Sequence, residues 1–228
     1  MNERIAQIAW EGDILRFGHY TNASGGTFPL LPDPRLLFTN PKYLKIIGKE
    51  VAAAVKSEFP QVNTIAGAST AGIPIGVAAS LESGLEFIYV RKEGKGYSGN
   101  QTVEGKVHPG MSAVIVDDFN VKGKGKNILM QNLWASGIAC REALTVLDCE
   151  CPMVEWYAEN NITVRWLLTV SDFFRYGLAH GKISQALYDL VWDVYKDDNF
   201  LKWSPEQEKW KQIMELARKE GFKFLGEG

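Results

Sequence analysis

From Pro41 onward the apolar positions of this chain switch between two periods. Leu44, Ile47, Val51, Val55 and Phe59 recur at three- and four-residue steps, which predicts an amphipathic helix over 42–58. The β-prone run "VNTIAG" (62–67) predicts a strand, "ASTAGIP" a loop and "IGVAASLES" a helix. "EFIYV" (86–90), "SAVIV" (112–116), "EALTVLD" (142–148) and "TVRWLLTV" (163–170) predict further strands. Helices are expected over "KNILMQNLWASG", ending at Gly137, and over "MVEWYAENN". Strands alternating with helices predict an α/β fold, a central parallel sheet flanked by helices. In such sheets ligands bind beyond the carboxyl ends of the strands, so the loops that follow strands should converge on one edge.

The two ends read differently. Ile5, Ile8, Ala9 and Leu15 could line a helix face, and "GHYTNASGGTFPLLPDPR" reads as turns and irregular loop. The tail holds two helical stretches, "SQALYDLVWDVYKD" and "SPEQEKWKQIMELARKEG". The second has Ser204 as N-cap, Pro205 at the first helical position, Gln207 as capping-box partner and Gly221 past its end. The expected organisation is a mixed N-terminal segment over 1–40, a core over 41–185 and a helical C-terminal extension over 186–228.

Composition narrows the function. Hydrophobic residues are 46% and charged residues 23% of the 228, the range of ordinary globular proteins. A formal net charge of −2 argues against a general nucleic-acid binder. No apolar run approaches a membrane span, and the acids Glu3, Glu11 and Asp13 break up any signal-peptide core, so a cytoplasmic protein is expected. Cys140, Cys149 and Cys151 are read as unpaired thiols of a reduced compartment, because His19, His108 and His180 lie far from Cys149-x-Cys151 in sequence.

Three post-strand loops carry the chemistry. "VIVDDFNVKGKGK" (114–126) ends a strand in Asp117 and Asp118, which could bind a metal, exchange protons or accept hydrogen bonds from a sugar diol. Gly123 and Gly125 then let the backbone turn toward a ligand at a helix start, where amides form an anion seat, and Lys122, Lys124 and Lys126 add positive charge. A diol reader beside a phosphate seat describes a ribose 5-phosphate. It is not a Walker loop, for the spacing is absent. Arg91, Lys92 and Lys95 on the glycine-rich stretch 91–110 suit a lid over a second anion such as pyrophosphate. "ASTAGIP" offers Ser69 and Thr70 before a helix, again suited to phosphate.

Together these loops resemble those of the type I phosphoribosyltransferases, and among them the orotate phosphoribosyltransferases. "VIVDDFNVKGKG" resembles their acidic pair and phosphate loop, "ASTAGIP" their pyrophosphate loop, and "YVRKEGKGYSGNQTVEG" their catalytic lid; "LTVLDCE" and "WLLTVSDFF" are similar to later strands, and the likeness spans about 14–185. The resemblance implies transfer of ribose 5-phosphate from phosphoribosyl pyrophosphate to a base, with Mg2+ carried by the pyrophosphate and ribose hydroxyls. It makes the N-terminal segment a hood. It assigns the ribose hydroxyls to Asp117 and Asp118, the 5-phosphate to Asn120, Val121, Lys122, Gly123, Lys124 and Gly125, and pyrophosphate to Ser69, Thr70, Arg91, Lys92 and Lys95, with Lys95 the chief catalytic residue. It implies a homodimer whose lid, 91–105, is shared between subunits, with neither nucleic acid nor membrane as partner.

The departures concern the phosphate loop, the lid and the base. Val121 and Lys122 stand where the family has two threonines, and Tyr97 where its lid has His. Ala23 and Cys149 occupy the base-binding positions at which the family carries Lys and Arg. A transferase of the same fold for another base, or a nucleotide sensor without turnover, are the alternative readings.

Overall fold

The computed structural model describes residues 1–21, 27–94, 101–151, 153–195 and 207–225. Ser204, Pro205, Ala23, Lys95 and Tyr97 lie outside the described residues. The chain opens with helix α1 (Glu3–Glu11), whose N-cap Asn2 accepts a hydrogen bond from the Ile5 amide and whose Ile5, Ala6, Ile8 and Ala9 are buried. The segment expected to be irregular is a β-hairpin instead, β1 (Leu15–Thr21) antiparallel to β2 (Thr27–Pro32). Its period-two pattern is masked in the sequence by Gly18, with φ of 150°, at an irregularity between Phe17 and Tyr20. A 3-10 helix, Pro34–Thr39, follows, started by Asp33 and Pro34, and Asn40 then caps α2 (Pro41–Glu58).

The expected alternation of strands and helices holds from there. In chain order come β3 (Thr64–Ala68), α3 (Gly72–Ser83), β4 (Glu86–Val90), β5 (Val103–Glu104), β6 (Ser112–Asn120), α4 (Lys124–Ala135), β7 (Ala139–Asp148), the short α5 (Trp156–Glu159), β8 (Thr163–Thr169), α6 (Val170–Ala179), α7 (Gln185–Tyr195) and α8 (Glu208–Lys219). Among the described residues the main sheet has the order β5-β4-β3-β6-β7-β8, parallel except for the β4–β5 pair. Several boundaries differ from expectation, three of them near the strand ends. β6 runs on to Asn120, so Asp117 and Asp118 lie within the strand and the loop before α4 shrinks to 121–123. β7 begins at Ala139 rather than at Glu142, and Val170 opens α6, with Thr169 as its cap.

Both faces of the sheet are covered, as near-continuous apolar strands require. Ile65, Val114, Val116, Leu144 and Val146 belong to one core, with α1, α2 and the hairpin. Ala66, Ala113, Ile115 and Ala143, one position out of phase, belong to the other with Leu129, Met130 and Leu133 of α4. The tail turns back onto the hairpin. α8 packs on β1 and β2, Trp210 meets His19 edge-on with centroids 5.6 Å apart, and Phe224 bridges to Phe17 in parallel register.

Candidate active site

Strand order reverses between β3 and β6: the chain leaves β3 toward β4, then returns past β3 to add β6, β7 and β8 on the other side. Connections diverge at that point, so the carboxyl ends of β3 and β6 are left uncovered, which is where a parallel sheet keeps its ligand. A cavity of about 1140 Å3 occupies the place. Its walls are the β3–α3 loop (Ala68 to Ala71), the end of β6 with the start of α4 (Asp117 to Lys126), Lys92, and from the 3-10 helix Arg35 and Phe38.

Two close backbone approaches shape these walls. A Cβ added at Gly72 would come within 2.1 Å of the Val116 carbonyl, so α3 can start directly against β6 only with glycine there. Gly123 sits at φ of 77°, where side chains are strained, and a Cβ on it would lie 2.5 Å from the Tyr157 hydroxyl. That hydroxyl donates to the Gly123 carbonyl over 2.7 Å, pinning the turn. Gly123 is also the N-cap of α4 and has no side chain to occupy the first-turn amides; the Lys126 amide donates to the Gly123 carbonyl at 2.9 Å, and the helix start ahead of it faces the cavity as a seat for an anion.

Asp117 and Asp118 are each mostly buried, with side-chain exposures of 19% and 16%. Their environments differ. Asp117 is ion-paired to the buried Lys126, Nζ to Oδ2 at 2.8 Å. Asp118 is paired more loosely, with Arg35 Nε 3.9 Å from its Oδ2. Burial, followed by the charge of Asp117, pushes the Asp118 carboxyl up to about 7. Lys126, at the seat of the expected phosphate loop, is spent inward: its ammonium also donates to the Phe119 carbonyl at 3.2 Å and to Asn120 Oδ1 at 3.4 Å. Asn120 is buried too, and its amide donates to Asp148 Oδ2 over 2.6 Å, so its side chain is a brace between β6 and β7. Burial raises the Asp148 carboxyl above the usual range.

The remaining expected residues divide between the cavity and other surroundings. Ser69, Thr70, Val121, Lys122, Gly123, Lys124, Gly125 and Lys92 line the cavity with the two aspartates. Arg91 does not: its guanidinium donates to the Tyr89 hydroxyl at 3.1 Å and pairs with Glu104 at 3.4 Å. Cys149 lies in the apolar core, its thiol 3.1 Å from that of Cys151, and is absent from the cavity wall. Sequence reasoning missed Arg35, Phe38, Tyr157 and Asp148. The signal for the first two was "DPRLLF", where Asp and Pro announce a helical turn, yet nothing in the sequence said that the turn faces β6.

A doubly covered parallel sheet whose switch point holds an acidic strand end, a glycine–lysine helix start and a small-residue loop has the plan of the type I phosphoribosyltransferases. No family model matches the chain. An orotate phosphoribosyltransferase of Halobacterium salinarum is 30% identical to it over 160 residues, 70% of this chain and 89% of that protein. Another from Methanoculleus marisnigri is 32% identical over 168 residues, 74% and 95% of the two chains. The crystal structure of the orotate phosphoribosyltransferase from Aeropyrum pernix shares the fold, with a TM-score of 0.68 at 20% identity over 79% of this chain and 99% of that one. The chain belongs to the orotate phosphoribosyltransferase family.

Proposed function

We propose that this chain transfers ribose 5-phosphate from phosphoribosyl pyrophosphate to orotate, releasing pyrophosphate. The observation that carries the reading is a single cavity in which two carboxylates and an uncapped, lysine-flanked helix start lie side by side. The first fits hydroxyls, the second fits a phosphate monoester, and a ribose 5-phosphate has both.

The steps follow from charge. The 5-phosphate sits on the amides at the start of α4, with Lys122 and Lys124 on its outer side. The ribose hydroxyls donate hydrogen bonds to Asp117 and Asp118, whose negative charge favours the oxocarbenium-like ribose as the anomeric carbon–oxygen bond to pyrophosphate breaks. The orotate ring nitrogen, its proton passing to the departing pyrophosphate, forms the new bond at that carbon. Negative charge collects on the departing pyrophosphate, and Ser69, Thr70, Lys92 and the lid residue Lys95 are proposed to receive it. Lys126 acts at one remove, as the positioning partner of Asp117.

Mg2+ is the expected cofactor, charge-compensating the pyrophosphate. Among the described residues no group of three or more His, Cys, Asp or Glu could hold a metal, and in this reading the ion would be carried by the pyrophosphate and ribose hydroxyls of the substrate, beside Asp117 and Asp118. The hood, core and extension divide at residues 40 and 185 in this reading.

A homodimer sharing the 91–105 lid is proposed on the character of α3. Its sequence, "GIPIGVAASLES", is apolar on every side, as in a fully buried helix, yet Val77 is 40% and Leu81 82% exposed. A second copy would cover that face. No described helix is long and apolar enough to cross a membrane. A cytoplasmic setting suits the three free thiols.

Pyrophosphate release with orotate, phosphoribosyl pyrophosphate and Mg2+ tests the reading. Lys95→Ala is expected to lower turnover by about two orders of magnitude or more, the scale of a lost transition-state charge contact, with folding intact. Turnover equal to wild type would remove Lys95 from the mechanism.

A further inference from the structure

Orotate differs from uracil by a carboxylate, and the cavity must supply a cation that is free to receive it. Neither Ala23 nor Cys149 carries one. The cavity cations can be accounted for one by one. Lys126 is committed to Asp117. Lys122 and Lys124 flank the phosphate seat. Lys92 stands beside that seat as well, since a Cβ on Gly125 would lie 3.1 Å from its ammonium. Among the described residues Arg35 is the lining cation that comes from the hood side, and it pairs only loosely with an aspartate of the cavity, 3.9 Å from Asp118.

Its geometry is prepared. Asp33 accepts from Arg35 Nε and Nη2, both at 2.7 Å, and also from the Arg35 amide at 3.1 Å, so the guanidinium is held in one plane by the residue that caps its own helical turn. This fork uses two of the five guanidinium donors and leaves Nη1 and the second Nη2 hydrogen, on a side chain that is 56% exposed. As a surface ion pair alone, Arg35 with Asp33 would contribute little. Beside an aspartate, however, an incoming carboxylate meets like charge unless a cation stands between them, and Arg35 occupies that position.

We infer that Arg35 is the specificity residue of the base subsite: it takes the carboxylate of the acceptor pyrimidine on its outer N–H groups and so selects orotate over uracil. The inference rests on orotate being the acceptor. The guanidinium acts on binding and orientation, and takes no part in the bond exchange at the anomeric carbon.

The test is steady-state kinetics with orotate and with uracil, together with calorimetric binding of phosphoribosyl pyrophosphate and Mg2+, for wild type, Arg35→Gln and Arg35→Lys. Arg35→Gln is expected to raise the orotate KM about 100-fold, the scale of a lost charged partner, and to reduce the orotate-to-uracil ratio of kcat/KM by a similar factor. Phosphoribosyl pyrophosphate affinity stays as in wild type. Arg35→Lys, which keeps the charge without the fork, falls between, and it carries the test should Arg35→Gln not fold. An unchanged orotate KM overturns the inference. Equal losses of orotate and phosphoribosyl pyrophosphate affinity also overturn it, assigning Arg35 to the ribose through Asp118. A wild-type protein that binds phosphoribosyl pyrophosphate and Mg2+ but releases no pyrophosphate with orotate defeats the acceptor reading itself, a result distinct from either.

Discussion

Two adjacent aspartates with unlike surroundings make a site that responds to pH. Asp118 keeps its proton up to about 7, chiefly because it is buried and next because Asp117 is charged. In the unfolded chain it would ionise near its usual value of 3.8. Its contribution to folding stability is therefore fully present below that value and is lost as pH rises toward 7. Binding runs the other way, because ribose hydroxyls donate to an ionised carboxylate and phosphoribosyl pyrophosphate must displace the proton. Affinity should climb between pH 5.5 and 7, by up to about tenfold per pH unit for one proton, and level off above. Calorimetry in buffers of different ionisation enthalpy should register close to one proton released per ligand at pH 6, and none in Asp118→Asn. Equal heats in all buffers for wild type would show that Asp118 is not the group displaced. Lys126 is the counterpart: removing it would strand a buried carboxylate, a loss of roughly 3–5 kcal/mol.

At the scale of elements, the base side of the cavity depends on a hairpin that cannot bury its own faces. β1 and β2 lean on the main core with Phe17 and Leu30, and α8 covers them from outside with Trp210, Ile213 and Ala217. The chain end locks this arrangement. The Phe17 amide donates to the Lys223 carbonyl at 3.0 Å, the Leu225 amide donates to the Phe17 carbonyl at 2.8 Å, and a Cβ on Gly18 would lie 2.8 Å from that of Leu225. The extension thus holds the wall that ends in Asp33 and Arg35. Trp210→Ala, at a position only 4% exposed, is expected to cost about 3–5 kcal/mol in denaturant unfolding. A midpoint equal to wild type would mean that α8 lies outside the cooperative unit.

At the scale of the whole molecule, α3 packs on α2 and the sheet but leaves the apolar Val77 and Leu81 exposed on its outer side. Leu81→Glu places a charge on its most exposed apolar position and should convert a dimer to a monomer in sedimentation velocity. Turnover should fall with it if the lid crosses between subunits, while phosphoribosyl pyrophosphate binding to the ground state weakens less. A variant that remains dimeric and fully active would remove α3 from the interface.

The periodicity of this chain determined its class of fold by itself. Leu44 to Phe59 repeat with the helical period, and the strands that follow are apolar enough for both faces to be covered, since burial acts on each segment independently of its neighbours' identity. Asp117, Asp118 and the glycine–lysine turn were legible because they are contiguous in one stretch of sequence. The hairpin was not, because the glycine and polar residues in "GHYTNASGG" hide its alternation and its partners, α8 and the chain end, lie about two hundred residues away. Nor did spacing reveal that Lys126 and Asn120 turn inward, that Arg91 turns toward Glu104, or that Arg35 reaches the cavity. Those outcomes depend on which side chains meet across the sheet, and only the tertiary packing of distant segments decides whether a charge is paired in the interior or left available to a ligand.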